Sequence, residues 1–401
     1  MESLLRLISR ITVRFAKAIL NRSRLPASIF GFIYLRSKSL EQLSSEKYSL
    51  QITTVLPTVA VFDSFPANIA TRGELPTKLV FGRSFADIPQ RTVRAAMVVR
   101  LSNCKFVTYY DRWNNVFPLV LDGEDSILPM RHIEVNGGGG FNAFHGHSRV
   151  LRKSASSRIP RAAWIIENWS TNYYHWLVYH LPKLLLLREY FPEYSIILPR
   201  KGNLQSFILE SLMILGYSSN QLLKPSTELV FVDDLAFVDI DRHDSRLLRN
   251  LAILFTKDNK QNSRKYIYIC RTKALWRHVV NENEIFEFLK TVGFEIIAAE
   301  DLSFSEQIGL MQNTILLVSP HGAGLTNMLF LHEKSIVVEL VNPEFPNSDY
   351  YSLAVSLGHT YYFFNAEDIP DNRPSAFHDM RVPLGYFKKL IYNVIGALSS
   401  R

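Results

Sequence analysis

The chain has 401 residues, of which 47% are hydrophobic and 20% charged; it is too long for one ordinary core and too apolar to be disordered, so two folded domains are expected. The formal charge of +8 points to an anionic partner: phosphates, a membrane face or nucleic acid. Only Cys104 and Cys270 are present, which excludes a disulfide framework, fits a reducing compartment and leaves no cysteine metal site.

In chain order, the first pattern is a basic amphipathic segment at 1–25. Arg6, Arg10, Arg14 and Lys17 share one helix side, with Leu4, Ile8, Ile11, Phe15 and Ile19 on another. Such a segment can lie on an anionic membrane surface; a docking helix with a solvated charged face is the plain alternative. Arginines interrupt it too often for a signal peptide, and no run reaches the ~18–20 uncharged apolar residues of a membrane span. Between 98 and about 150, short alternating runs predict strands and hairpins. No helix opens after the tetraglycine 137–140, so it reads as a hairpin loop. After Arg161, strands alternate with helices: strand 162–166, a helix over 172–191 bent or broken near Pro182, strand 195–198, helix 204–215 and strand 229–232. The polar stretch 257–265 reads as a linker, setting domains at 26–257 and 258–401. Beyond it, strands at 266–270, 295–298, 315–318, 336–341 and 360–364 alternate with helices at 282–292, 303–312 and 349–357. The last amphipathic run, 384–398, is expected to fold back on the first domain. The expected class is α/β, with two Rossmann-like doubly wound domains facing a central cleft and ligand sites at strand carboxyl ends.

Three constellations carry the chemistry. The stretch Ser319-Pro-His-Gly-Ala-Gly-Leu-Thr-Asn327 ends the strand at 315–318. A hydrolase elbow is rejected, because Gly146-His-Ser-Arg-Val150 lacks its last glycine and stands on the wrong side of the HGAG loop. A phosphate cradle fits better: Gly322 and Gly324 allow close backbone approach to an anion at a helix start, and His321 can donate to it. An ordinary strand-to-helix turn is the plain rival. Glu339, ending the next strand, reads as a carboxylate for a ribose, in a mononucleotide or a dinucleotide. The second constellation, Asn172-Tyr-Tyr-His-Trp176, offers His175 as a base near neutral pH and aromatic rings for a sugar, against a reading as aromatic core. The third supplies Arg271, Lys273 and Arg277 as countercharge for a diphosphate, against a solvated loop. Asp239-Ile-Asp241 is formally a metal-binding D-x-D and reads as surface charge.

In this order and spacing, these residues resemble glycosyltransferase family 61, the group that includes capsular polysaccharide transferases. The matching positions are Asn172–Trp176 with Leu181-Pro182; Tyr268–Arg271 with Arg277 and Asn281–Glu284; Glu306-Gln307; and His321–Asn327 with Glu339. The resemblance implies a GT-B architecture and an inverting, metal-independent transfer from a UDP-sugar to a glycan or lipid-linked acceptor. It implies that His321, Gly322, Ala323, Gly324, Leu325, Thr326 and Asn327 meet the diphosphate. Arg271 and Arg277 would neutralise the leaving group, and Glu339 would hold the ribose. The base would be His175, with Glu167 and His180 as alternates. No cofactor and no nucleic acid is expected. The absence of an anchor or secretory signal implies a bacterial cytoplasmic enzyme, peripheral on the inner membrane face. The rival classes are a nicotinamide-dependent oxidoreductase and a non-catalytic basic module on membrane or nucleic acid.

Overall fold

A computed structural model describes residues 50–110, 116–122, 157–165, 170–201, 204–256 and 264–399. The basic segment 1–25, the tetraglycine, the 146–150 stretch, Glu167 and most of the expected linker lie outside these residues. The strands of the first half are β1 (Leu50–Leu56), β2 (Val59–Phe62), β3 (Gln90–Val93), β4 (Ala96–Tyr110), β5 (Val116–Leu121), β6 (Ser157–Trp164), β7 (Ser195–Ile197), β8 (Leu222–Leu223) and β9 (Leu229–Asp239). Those of the second half are β10 (Lys265–Ile269), β11 (Phe294–Ile297), β12 (Thr314–Pro320), β13 (Ile336–Val341), β14 (Thr360–Asn365), β15 (Glu367–Ile369) and β16 (Asp379–Arg381). Among the described residues no helix is long and apolar enough to cross a membrane.

The chain divides into two compact units. One runs to Thr58 and resumes at Arg94–Asp241; the other joins Val59–Val93 to Arg242 and all that follows. This differs from the expected division at 257/258 for a packing reason. The helix Ser245–Thr256 buries Leu247, Leu248, Leu251 and Phe255, and it does so against the helices Phe304–Gln312 and Asp349–Leu357 of the second unit.

The sheet of the first unit is mixed, with order β1-β4-β9-β6-β7-β8 and β5 on the side of β4. Only β9, β6, β7 and β8 run parallel; β4 is antiparallel to β1, β5 and β9. The parallel winding expected after Arg161 is therefore confined to β6, β7, β8 and β9, beside antiparallel strands from the stretch expected to form hairpins. Val99, Leu101, Phe106, Trp164 and Phe237 form its core, and Arg100 spans β4 and β9 to pair with Asp234 at 2.5 Å. The predicted break at Pro182 takes a specific form. A π-helical segment, Trp176–His180, precedes the α-helix Leu181–Tyr190, and the Leu181 N–H donates to the Trp176 carbonyl five residues back. Proline then stands in the first turn of the new α-helix, where its missing N–H costs nothing.

The second unit holds a parallel five-stranded sheet in the order β11-β10-β12-β13-β14. Its strands read as near-continuous apolar runs because both faces are covered. The helices Glu282–Thr291 and Leu384–Ser399 cover one face, burying Ile285, Phe288, Phe387, Ile391 and Val394 with Leu316, Val338 and Phe364. The final helix thus belongs to the core of this unit, where its apolar stripe is needed, and not to the first as expected.

Residues 59–93 also pack here. Phe85 is fully buried, with its ring centroid 5.6 Å from that of Tyr351 and 5.4 Å from that of Phe363. The Tyr351 hydroxyl donates to the Ser64 carbonyl at 2.7 Å, and Asn68 Nδ2 donates to the Phe363 carbonyl at 2.9 Å. Truncating so enclosed an aromatic leaves a cavity, so Phe85→Ala is expected to lower the unfolding free energy by about 3–5 kcal/mol. Urea denaturation measures this, and a loss under ~1 kcal/mol contradicts the packing described.

Candidate functional site

In this sheet the chain leaves β10 toward β11 on one side and β12 toward β13 on the other. The carboxyl ends of β10 and β12 therefore flank the topological switch point, where doubly wound sheets bind ligands. The residues gathered there are Arg271 and Arg277, just after β10, and His321 and Gly322, just after β12.

Arg271 lies against the backbone of Gly322. A Cβ built on Gly322 would stand 1.7 Å from Arg271 Nη1. The backbone there is extended, with φ 169°, a conformation any residue adopts, so the glycine is required for space. The Arg271 N–H donates to Glu282 Oε1 at 3.3 Å, and its Nη2 donates to the Trp276 carbonyl at 3.0 Å. Its Nε is buried without a hydrogen-bond partner among the described residues.

Arg277 takes the left-handed backbone region, φ 61°, which is unfavourable for a side chain of this size and tends to persist only where surroundings enforce it. They do. The neighbouring His278 N–H donates to Asp379 Oδ1, the His278 carbonyl accepts from Met380, and the Val280 N–H donates to the Met380 carbonyl, all at 2.8 Å. The strand pair β15–β16 thus clamps the arginine-bearing loop. Arg277 Nε is also buried without a partner among the described residues.

Burial, and then the charge of Arg277, pull Arg271 down to about 10. Burial likewise lowers Arg277, while Tyr350 and Glu339 oppose the fall. Both remain cationic at neutral pH, yet each holds its charge at a cost that an anion would remove. Lys273, by contrast, is drawn to the exposed side by Asp301.

His321 stands beside this pair, 4% exposed. Its Nδ1 meets Glu339 Oε1 at 2.5 Å, and the Tyr361 hydroxyl donates to Glu339 Oε2 at 2.6 Å. The Tyr350 ring packs edge-on against the imidazole at 5.0 Å. Burial lowers the His321 pKa below the usual imidazole range, with the Glu339 hydrogen bond and charge acting the other way. A neutral ring donating Nδ1–H to Glu339 keeps Nε2 for a ligand.

Several expectations change. Glu339 is fully buried with both oxygens engaged, so it positions His321 instead of facing a ribose. Leu325, Thr326 and Asn327 are each 0% exposed, and Asn327 is held by Gln307 at 2.8 Å; only Ala323 and Gly324 of the following 3₁₀ helix stay partly open. His180 is enclosed in the π-helical turn against Trp176 and Tyr179, which removes it as a base open to substrate. His175 is half-buried in the first unit, its N–H capped by Asn172 at 3.2 Å. Trp176 donates to Ser211 inside the core, so it offers no sugar platform. Asp239 is buried and Asp241 binds the backbone N–H and guanidinium of Arg94, so this pair is structural, not surface charge. Tyr350 and Tyr361 had no motif to announce them, and Glu282 was named only as part of the run Asn281–Glu284, with no role. The one available signal was an acid inside the otherwise apolar β13, which demands buried partners.

Because Glu339 raises the His321 pKa, Glu339→Gln is expected to move it further below the imidazole range. A pH titration of the His321 ring nitrogens by NMR reads this directly, and an unchanged or raised midpoint contradicts the pairing.

Residues 173–338 match the family model described as Glycosyltransferase 61. The chain is 33% identical over 121 residues to EGF domain-specific O-linked N-acetylglucosamine transferase of Drosophila melanogaster, covering 29% of this chain and 23% of that protein. It is 33% identical over 94 residues to the protein of the same name from Gallus gallus, covering 22% and 18%. It is 39% identical over 99 residues to protein O-linked-mannose beta-1,4-N-acetylglucosaminyltransferase 2 of Xenopus tropicalis, covering 22% and 16%. The chain thus spans under a quarter of the length of the relatives it matches. The family match takes in His175, both arginines and the HGAG loop. Residues 173–338 are thus similar to glycosyltransferase family 61.

Proposed function

We propose that this protein is a glycosyltransferase whose second unit binds the diphosphate of a nucleotide-sugar, a UDP-sugar, at Arg271, Arg277 and the Gly322 turn. The observation that carries the reading is the pair of half-buried arginines at the switch point, each with a buried Nε that lacks a partner among the described residues. When the bond from the anomeric carbon to the phosphate oxygen breaks, negative charge grows on the departing diphosphate. Fixed guanidinium groups and a close backbone amide stabilise that charge without reorganising. In this reading His321 Nε2 meets the ligand, while Glu339 and Tyr361 hold the ring.

A GT-B arrangement and inversion belong to the same proposal. A single in-line displacement inverts the anomeric centre, and it needs one base to take the acceptor's proton. The first unit supplies it as His175. The guanidinium pair provides the countercharge. The acceptor is a glycan or lipid-linked sugar of surface polysaccharide synthesis, and residues 1–25 bring the enzyme to the inner face of the membrane. The names of the relatives make N-acetylglucosamine the first donor sugar to try. Because Glu339 is buried, it holds the ribose in neither the mononucleotide nor the dinucleotide reading.

Calorimetry with UDP tests the donor site. A hydrogen bond to a charged group contributes about 1.5–3 kcal/mol, so Arg271→Ala is expected to weaken UDP by roughly 10- to 100-fold. Gly322→Ala should do the same with little change in melting temperature, since its methyl displaces only the end of one side chain, that of Arg271. Undiminished UDP binding by Arg271→Ala would falsify the assignment. Nucleotide release across UDP-, GDP- and CMP-sugars identifies the donor. His175→Ala is expected to reduce turnover about 10²- to 10⁴-fold at constant UDP affinity; normal turnover places the base elsewhere.

A further inference from the structure

A hairpin within residues 59–93 presents an aromatic ring beside His321. Val80 and Arg83 exchange backbone hydrogen bonds at 2.8 and 3.1 Å, closing a two-residue turn at Phe81-Gly82. Both turn residues have positive φ, 51° and 78°. That suits glycine but not phenylalanine, since primed turns favour Asn, Asp or Gly at the first position. The unfavourable conformation turns Phe81 outward, 84% exposed. Neither burial nor turn chemistry accounts for a phenylalanine here.

A neighbouring ring does. The Phe81 centroid lies 5.9 Å from that of Phe345, and Phe345 in turn lies 5.9 Å from the His321 ring. Three rings therefore lead outward in steps from the diphosphate position: His321, half-buried Phe345, exposed Phe81. The hairpin is fixed in this place by the capping of Ser84 onto Asp87 and by the buried Phe85. An exposed ion pair, Lys78–Glu344 at 2.6 Å, joins the hairpin to the loop that carries Phe345; being solvated, it orients more than it stabilises.

We infer that Phe81 and Phe345 form the nucleobase subsite of the donor, stacking on the planar ring that a nucleoside diphosphate carries one ribose beyond its phosphates. The argument rests on the proposed diphosphate site: with phosphates at Arg271 and Gly322 and the ribose near His321, the base falls along this row of rings. Stacking on an aromatic face tolerates any base and accounts for a ring kept in water at a conformational cost. The wall belongs to the second unit alone, so the subsite is complete within it.

Calorimetric affinities for UDP and for inorganic pyrophosphate, measured on wild type, Phe81→Ala and Phe81→Tyr, test the inference. Phe81→Ala should weaken UDP about tenfold, the loss of one stacked base, and leave pyrophosphate unchanged. Phe81→Tyr should bind both like wild type. Because Phe81 is exposed, the variants keep their fold, which the melting temperature verifies. Equal UDP affinity in Phe81→Ala and wild type overturns the inference, and so does equal weakening of both ligands. A rise in acceptor KM with UDP binding intact also overturns it, assigning the rings to the acceptor. Failure of wild type to bind pyrophosphate at all instead sinks the underlying diphosphate site, and the subsite with it.

Discussion

Two guanidinium groups, partly buried and mutually repulsive, are held close together at the end of a parallel sheet. Folding places charge where water solvates it poorly only if something else compensates, since a desolvated cation without a partner is strongly unfavourable. The surrounding structure is arranged to keep the pair in place. Glu282 and the Trp276 carbonyl hold Arg271, the β15–β16 pair clamps the loop of Arg277 in a left-handed conformation, and Gly322 makes room. Such a pair is destabilising for the apo fold and favourable for an anionic ligand, the exchange expected where local stability yields to function.

The sheet topology explains why the pair sits where it does. Strand order sends the chain away from β10 and β12 in opposite directions, so the loops after these strands separate and expose their backbone amides. Into that gap the 3₁₀ helix Ala323–Phe330 turns most of its side chains inward, leaving the first turn open. Behind it the Tyr361–Glu339–His321 series converts a buried carboxylate from a liability into a positioning device. Residues 59–93 complete the unit from a distant part of the sequence, which is why the aromatic row could form beside the proposed phosphate position.

Legibility in the sequence followed locality. The strands of the second unit were legible because each is a short apolar run bounded by polar turns, as in Ile315-Leu-Leu-Val318 and Ile336-Val-Val338. The approach of Arg271 to the HGAG loop was suggested by position alone, as residues following neighbouring strands of one parallel sheet. What stayed hidden was non-local. Burial of Glu339 between His321 and Tyr361 depends on the register of β12, β13 and β14, which no single stretch encodes. The long β4 offered alternation and a hairpin with the run that became β5, but not its distant antiparallel partners β1 and β9, so the first sheet read as more regular than it is. Phe81 looked like any loop residue, because its meaning comes from Phe345, far along the chain. The domain boundary was misplaced for the same reason: Ser245–Thr256 is an amphipathic helix whose partner lies downstream.

The central claim is that a nucleotide diphosphate settles between Arg271, Arg277 and the Gly322 backbone. A crystal structure with UDP bound tests it most directly. The account predicts phosphate oxygens within hydrogen-bonding distance of both guanidinium groups and of the amides opening the Ala323–Phe330 segment. Phosphates bound at any other place, with both arginines left without an anion, would contradict it.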